Sequence, residues 1–288
     1  MQRAQKLRPL RPVFLYESFS PPKLMFIKHY LLAIRFFTRI PITGKLATWV
    51  GYSPEMLRAS AAHFAGVGWV VGAVAAGVYV GFDALIPSAF GPLIAACFAT
   101  MATVLLTGGF HEDGLADLAD GLGGSYDRDR ALEIMKDSRI GAFGAISLVL
   151  ALLTKIALLA ALGELHALSI GLLIWASHTV SRALPMGVVA LLPHVGDAAG
   201  SKSKPLAEQV SSKALWSNFL WCCIPLAGIY SAWSAIELIA ILCCGVVAWA
   251  VMVWRLKQRL QGFTGDALGA TQQVCEISLL LGAVTVCL

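Results

Sequence analysis

The sequence predicts an all-α fold: a polytopic integral membrane helical bundle of about seven transmembrane helices, with an additional N-terminal interfacial helix. Hydrophobic residues make up 58% of the 288 residues and charged residues only 14%, whereas a soluble domain is usually about one quarter charged. The apolar residues form long runs, and Lys and Arg concentrate in alternate connections between them. The net charge of +5 follows this placement, so it does not indicate nucleic-acid binding.

The N-terminal region divides into two parts. Residues 1–24 contain basic residues but no apolar core of signal-peptide length, so we expect a disordered extension before a single membrane-embedded domain, residues 25–288. The stretch from Phe26 to Ile40 is too short and too basic to span a bilayer. Its apolar residues fall on one side, which is typical of an amphipathic helix on the membrane surface or of a helix packed on the bundle. Pro41 is expected to end this helix.

Seven apolar runs follow the interfacial helix. Each has close to the 20 residues that a membrane-spanning helix needs, given some tilt. Pro87 separates the first run from the second. The runs are Ala59–Ile86, Ser88–Leu106, Ala142–Leu162, Leu168–Leu192, Leu215–Trp233, Ile236–Trp254 and about Val274–Leu288.

The distribution of basic residues predicts the orientation of the bundle. With the N-terminus inside, 20 of the 22 Lys and Arg residues fall in inner segments. The outer turns then contain Asp83, Glu164 and Glu237 but no Lys or Arg. Because positive residues concentrate on the cytoplasmic side, this split predicts a cytoplasmic N-terminus and an outer C-terminus.

The stretch from Thr107 to Gly124 is the strongest candidate for a functional site. It packs four carboxylates into nine residues at the inner end of an apolar run. In a helix, Asp113, Asp117 and Asp120 share one face and repel one another. A divalent cation would remove this repulsion, and carboxylate oxygens suit Mg²⁺, with Mn²⁺ as the alternative. The other interpretation is a hydrated acidic loop.

Two further polar clusters lie on the same predicted side. Lys136 and Arg139, in KDSRIGAFG, place positive charge beside the acidic stretch. Acidic metal ligands with adjacent cations are the combination that phosphoryl or nucleotidyl transfer needs, although the positive-inside pattern alone also explains both cations. In GFTGDALGA, which we expect to be a loop before the last span, Asp266 is either a solvated or capping residue or a further candidate metal ligand.

Three ionisable residues stand inside apolar runs. Such groups usually face a cavity or a charged partner. His178 and Arg182 share a helix face, so they either hold the anionic part of a substrate or pair with carboxylates of the acidic helix. Lys155 is expected to pair structurally or to reach the interface. His111, just before the carboxylates, is expected to bind substrate or to form a structural hydrogen bond.

Taken together, these motifs resemble the cobalamin synthase family, the adenosylcobinamide-GDP ribazoletransferases. The resemblance rests on G-G-x-H-x-D-G-L-A-D-x-x-D-G from Gly108 to Gly121, on K-D-S-R-I-G from Lys136, and on G-x-T-G-D-x-L-G-A from Gly262. The stretch from Phe36 to Ile42 resembles that family's N-terminal signature. The resemblance covers about residue 25 to the C-terminus, and Glu112 occupies a position that the motif leaves free.

The resemblance implies a magnesium-dependent enzyme of the bacterial inner membrane with its active site on the cytoplasmic side. It would join adenosylcobinamide-GDP to α-ribazole or its 5′-phosphate and release GMP, so residues 25–288 would be one catalytic domain. The expected site comprises the catalytic residues Asp113, Asp117, Asp120, Lys136 and Arg139, the metal ligands Asp113, Asp117, Asp120 and Asp266, and the substrate-binding residues Gly109, His111, Gly114, Asp137, Arg182 and Thr264.

The expected partners are these two substrates and the lipid bilayer, with no nucleic acid. Other enzymes of the cobalamin pathway are implied only by the resemblance, and the sequence does not set the oligomeric state. Three alternatives fit less well. A CDP-alcohol phosphotransferase has a D-G-x-x-A-R pattern that the residues after Asp113 and Gly114 do not match, and a prenyltransferase has a second D-x-x-x-D motif. A metal-ion transporter, from a different functional class, places its acids in mid-span.

Overall fold

The computed structural model describes residues 22–196 and 211–287, and these ranges form a helical bundle without β-strands. An isolated bridge joins His194 to Phe263. The α-helices are α1 Pro22–Phe37, α2 Gly44–Val50, α3 Pro54–Ser60, α4 Phe64–Leu85, α5 Gly91–Thr107, α6 Phe110–Gly124, α7 Arg128–Ile134, α8 Ala142–Ala161, α9 Ala167–Leu191, α10 Ser212–Ala232, α11 Ala235–Arg259 and α12 Gly265–Cys287.

The membrane-spanning architecture is confirmed. Among the described residues, six helical segments are long and apolar enough to cross a membrane, and the pair α5 and α6 adds a seventh span at most. The first of the six joins α3 and α4 through a short 3₁₀ turn, Ala61–His63. The protein is therefore a multi-pass membrane protein.

The start of the last span was predicted wrongly. α12 begins at Gly265 instead of Val274, so Asp266 lies in the first helical turn and not in a loop. The Thr264 hydroxyl accepts a hydrogen bond from the Ala267 N–H (3.2 Å) and so stabilises this early start. The polar residues that hid the helix from hydropathy, Gln272 among them, are buried inside the bundle.

The N-terminal helix also differs from its predicted bounds. Residues 1–21 of the predicted extension lie outside the described residues, while residues 22–24 already belong to α1. The helix ends at Phe37, before Pro41. The Tyr30 hydroxyl donates to the Gly66 carbonyl (3.0 Å), and Phe37 is buried, so α1 packs on the bundle. Contact of α1 with the membrane surface stays a prediction.

A sharp bend between α5 and α6 creates the site's geometry. Gly108 and Gly109 have φ angles of 70° and 71°, a left-handed conformation that glycine adopts without steric cost. The Gly109 N–H donates to the Val104 carbonyl (2.9 Å), which closes the end of α5. Because the two helices meet at 88°, α6 leaves the direction of α5 and does not continue its span.

α6 instead lies across the N-terminal ends of two spanning helices, α12 and α8. A Cβ on Gly114 would stand 2.6 Å from the Asp266 carbonyl oxygen, so glycine allows α6 to touch the start of α12. Farther along α6, Asp120 contacts the start of α8. Arg259 of α11 donates to the Leu122 carbonyl (3.0 Å) at the end of α6. The acidic helix is therefore fixed at one end of the bundle.

Candidate active site

The acidic stretch is helical, as its spacing predicted, and presents carboxylates beside Asp266. Asp113 is exposed and Asp117 is half-buried on α6. Burial, followed by the like charges of Asp113, Asp266 and Asp120, raises the pKa of Asp117 to about 7. Carboxylates from two helices thus concentrate negative charge at this end of the bundle, and a cation would relieve it.

The carboxylates do not form a complete metal cage by themselves. Within residues 22–196 and 211–287, no three His, Cys, Asp or Glu side chains converge as metal ligands, so the four predicted ligands do not surround one point. Mg²⁺, however, is usually bound through one or two carboxylates together with water and substrate phosphates. Asp113, Asp117 and Asp266 supply hard oxygen donors for that mode of binding, and the magnesium site stays a prediction.

Asp120 has a defined structural contact that the sequence analysis did not foresee. Its Oδ2 accepts a hydrogen bond from the Gly141 N–H (2.7 Å), and its Oδ1 accepts one from the Gly144 N–H (2.8 Å). Both donors lie at the N-terminus of α8, where a negative charge also favours the helix dipole. Asp120 therefore couples α6 to α8, in addition to any role toward a ligand.

An open cleft of about 690 Å³ adjoins Asp120, between the end of α6, α7 and the loop that follows α7. Arg139 and Asp137 line it and form a pair, with the Arg139 Nη2 2.6 Å from the Asp137 Oδ2. Hydrogen bonds from Arg139 lower the pKa of Asp137 to about 2. The Arg139 side chain is 86% exposed, so its guanidinium is open to a ligand in the cleft. Lys136 is exposed at the start of this loop.

The predicted substrate-binding residues at the junction of α6 and α12 have different environments. His111 is buried at 1% exposure and stacks on Phe64 beside an apolar cavity of about 40 Å³. Neither His111 ring nitrogen has a hydrogen-bond partner among the described residues. Thr264 is buried as the cap of α12, and Gly114 serves helix packing. Gly109 faces open space.

A buried network centred on Glu276 pairs with the ionisable residues inside the spans. Glu276 Oε1 lies 2.5 Å from Lys155 Nζ, and Glu276 Oε2 lies 3.1 Å from His178 Nδ1 and 4.0 Å from Arg182 Nη1. Gln272 Nε2 also donates to Glu276 Oε2 (2.6 Å). The cations thus pair with a carboxylate of α12, not with the aspartates of α6. Pairing explains Lys155, and substrate binding by Arg182, which is 2% exposed, stays a prediction.

The network reaches the acidic helix through a neighbouring amide. Gln273 Nε2 donates to Gln272 Oε1 (3.0 Å) and to Glu112 Oε1 (3.0 Å). Glu112 is therefore held on the buried side of α6, away from the exposed Asp113. Gln272, Gln273 and Glu276 were not predicted from the sequence, although the intramembrane cations Lys155 and Arg182 required a carboxylate partner.

Comparison with known proteins places the chain in a family. The sequence model described as cobalamin-5-phosphate synthase matches residues 29–284. The chain is 58% identical to the adenosylcobinamide-GDP ribazoletransferase of Polaromonas naphthalenivorans over 90% of this chain and 98% of that protein. Identity is 56% to the same-named protein of Albidiferax ferrireducens, over 89% of this chain and 97% of the relative. Identity to the same-named protein of Vibrio cholerae is 40%, over 88% of this chain and 91% of the relative. No solved structure matches the chain.

Proposed function

The chain belongs to the cobalamin-5-phosphate synthase family, and we propose that α6, the start of α12 and the loop after α7 form its active site. It is a transferase of the nucleotide-loop assembly step of cobalamin biosynthesis. The enzyme joins adenosylcobinamide-GDP to α-ribazole or its 5′-phosphate and releases GMP. The observation that carries the site assignment is the acidic face of α6 beside a cleft that contains Arg139.

The reaction breaks the phosphoanhydride link of the donor's diphosphate and forms a phosphate ester link to ribazole. A ribazole hydroxyl oxygen forms a bond to the phosphorus nearest the cobinamide, the bond between this phosphorus and the oxygen of the leaving GMP breaks, and the hydroxyl proton passes to water. Asp113, Asp117 and Asp266 would hold Mg²⁺, which would stabilise negative charge on the phosphate oxygens. The carboxylates cannot do this alone, because they repel the phosphates.

The cationic groups beyond Asp120 are suited to the leaving nucleotide. Arg139 presents a planar fork of donors that matches phosphate geometry, and Lys136 adds a point charge. The adjoining cleft, at about 690 Å³, is within the size range of small-molecule sites. Asp120 holds this loop against α6 through Gly141 and Gly144, so the acidic face and the cations keep a fixed relation.

The orientation of the site follows from charge placement. We place the protein in the bacterial inner membrane with its N-terminus and α6 on the cytoplasmic side. The support is the concentration of Lys and Arg in the segments that adjoin α6 and the N-terminal ends of α8 and α12. A cytoplasmic site also gives direct access to nucleotide substrates.

The test is GMP release by the purified full-length protein. Adenosylcobinamide-GDP and α-ribazole 5′-phosphate are supplied over a range of Mg²⁺ concentrations to the wild type, Asp113→Asn and Asp117→Asn. We expect each substitution to lower the rate at least about 100-fold, because metal and electrostatic stabilisation each supply several kcal/mol. Asp129→Asn, an exposed aspartate of α7, is the matched control and should keep the rate within about twofold.

Two outcomes would contradict the proposal at different levels. Wild-type protein that is folded but releases no GMP would remove the proposed reaction. If Asp113→Asn and Asp117→Asn both keep the wild-type rate and Mg²⁺ dependence, the reaction stands, but the acidic face of α6 is not its site.

A further inference from the structure

Arg39 is held at the bend between α5 and α6 by its own backbone. Its N–H donates to the Leu106 carbonyl in the last turn of α5 (2.7 Å). The residue before it is also fixed, since the Thr38 hydroxyl donates to the Ile34 carbonyl (2.7 Å) and accepts from the Ile40 N–H (3.2 Å). The segment that follows α1 is thus attached to the end of α5, and Arg39 has a defined position beside the acidic helix.

The Arg39 side chain lies against Gly108, the first residue of the bend. A Cβ on Gly108 would collide with Arg39 Nε and stand 2.8 Å from Arg39 Cζ. Two features therefore favour glycine at position 108: its left-handed φ and the space that the Arg39 guanidinium occupies. This packing directs a cation to the N-terminal side of α6.

The charge of Arg39 has no partner within the described part of the chain. The side chain is exposed, and its guanidinium forms no hydrogen bond or ion pair there. Arg139, by contrast, is paired with Asp137. The Gly109 carbonyl accepts a hydrogen bond from the Asp113 N–H (2.8 Å). Asp113 therefore lies about one helical turn beyond the bend, a rise of about 6 Å along the axis of α6. A guanidinium without a partner among the described residues therefore lies at the bend from which the acidic helix starts.

We propose that Arg39 binds a phosphate group of the donor substrate, namely the phosphate next to the cobinamide. This inference rests on the proposed function, which supplies a donor with a diphosphate. Arg39 lies at the start of α6 and the cleft with Arg139 toward its other end, separated by about 15 Å of helix from Phe110 to Asp120. Under this proposal the guanosine end lies in the cleft and the distal phosphate lies at Arg39, whose planar donors match a phosphate in a bidentate way.

The experiment compares binding of GDP and GMP to the full-length protein by isothermal titration with Mg²⁺ present. GDP carries the phosphate that corresponds to the one next to the cobinamide, and GMP lacks it. Arg39→Ala should weaken GDP binding about 10-fold or more, because a charge-assisted hydrogen bond is lost, and should leave GMP binding within twofold. Arg39→Lys keeps the charge without the fork, so an intermediate loss is expected. Arg35→Ala, an exposed arginine of α1, is the matched control with unchanged binding.

Several results would overturn the proposal. They are wild-type protein that binds no GDP, variants that bind GDP within twofold of wild type, and losses that are equal for GDP and GMP. If Arg39→Ala is not monodisperse, Arg39→Lys and Arg39→Gln decide the question. A lipid phosphate is tested by repeating the titration in lipid-free detergent and in phosphatidylglycerol nanodiscs. If Arg39→Ala retains less phosphatidylglycerol than wild type but binds GDP equally well, Arg39 binds a lipid phosphate and not the donor substrate.

The same variants separate this inference from the proposed reaction. If wild-type protein binds GDP through Arg39 but releases no GMP from adenosylcobinamide-GDP, the reaction is refuted and the phosphate site stands. If GMP is released at equal rates and with equal KM for the donor by wild type and Arg39→Ala, the reaction stands and the phosphate site is refuted.

Discussion

Replacing Glu276 by Gln should strongly destabilise the bundle. Glu276 is 1% exposed, balances the charges of Lys155 and Arg182 inside the membrane-spanning helices, and contacts His178. Gln keeps the shape of the side chain and one acceptor oxygen for Gln272, but it removes the negative charge. The buried cations then lose their counter-charge, while water cannot reach them.

The expected magnitude follows from the burial of both partners. The side chains of Lys155 and Glu276 are 3% and 2% exposed and lie 2.5 Å apart, and removal of one partner from a buried pair costs about 3–5 kcal/mol. Lys155→Met should cost somewhat less, because Arg182 still faces Glu276. In Lys155→Met combined with Glu276→Gln, both charges of the pair are gone, so the loss should fall below the sum of the single losses by about 1–3 kcal/mol.

The assay is unfolding of the full-length protein in mixed detergent micelles, followed by circular dichroism, for the wild type, both single variants and the double variant. Glu164→Gln is the control, since Glu164 is exposed in the turn after α8. A loss of less than about 1 kcal/mol in the free energy of unfolding of Glu276→Gln, or single losses that simply add, would show that Glu276 does not balance the buried charges.

Two further predictions concern α6 and the orientation of the chain. Asp120→Asn should lower the free energy of unfolding by about 1–3 kcal/mol, since one of its two backbone hydrogen bonds is lost. Asp117→Asn should not lower the free energy of unfolding, because this substitution removes like-charge repulsion. An equal loss in both variants, measured by the same unfolding assay, would contradict this prediction. Reporter fusions after Asp83 and after Glu164 should give periplasmic signals, and a cytoplasmic signal at either position would refute the N-in topology.

The sequence was most informative where the spacing of residues within one helix decides the structure. The spacing of Asp113, Asp117 and Asp120 predicted one helix face, and the apolar runs predicted the spans, because both depend on neighbours within the same helix. The start of α12 was missed because hydropathy penalises Gln272 and Glu276, although both are satisfied by partners from other helices.

Contacts between distant segments could not be read from the sequence. Asp120 looked equivalent to Asp113 and Asp117 on the helix, yet its oxygens are bonded to backbone amides of Gly141 and Gly144. The identity of the carboxylate that meets Lys155 likewise depends on which helices pack together. Such pairings are set by tertiary structure, where residues far apart in the chain become neighbours.

The two-glycine bend also fixes the length of the chain at this point. One residue inserted between Gly109 and Phe110 would rotate the whole of α6 by about 100° relative to α5. Asp113 would turn away from Asp266, and the contact of Gln273 with Glu112 would be lost. The charge composition of α6 would be unchanged, but its acidic face would point in another direction. The number of residues at the bend therefore sets the rotation of α6 about its axis. With that rotation changed, the protein would keep every residue of the acidic face and still be inactive.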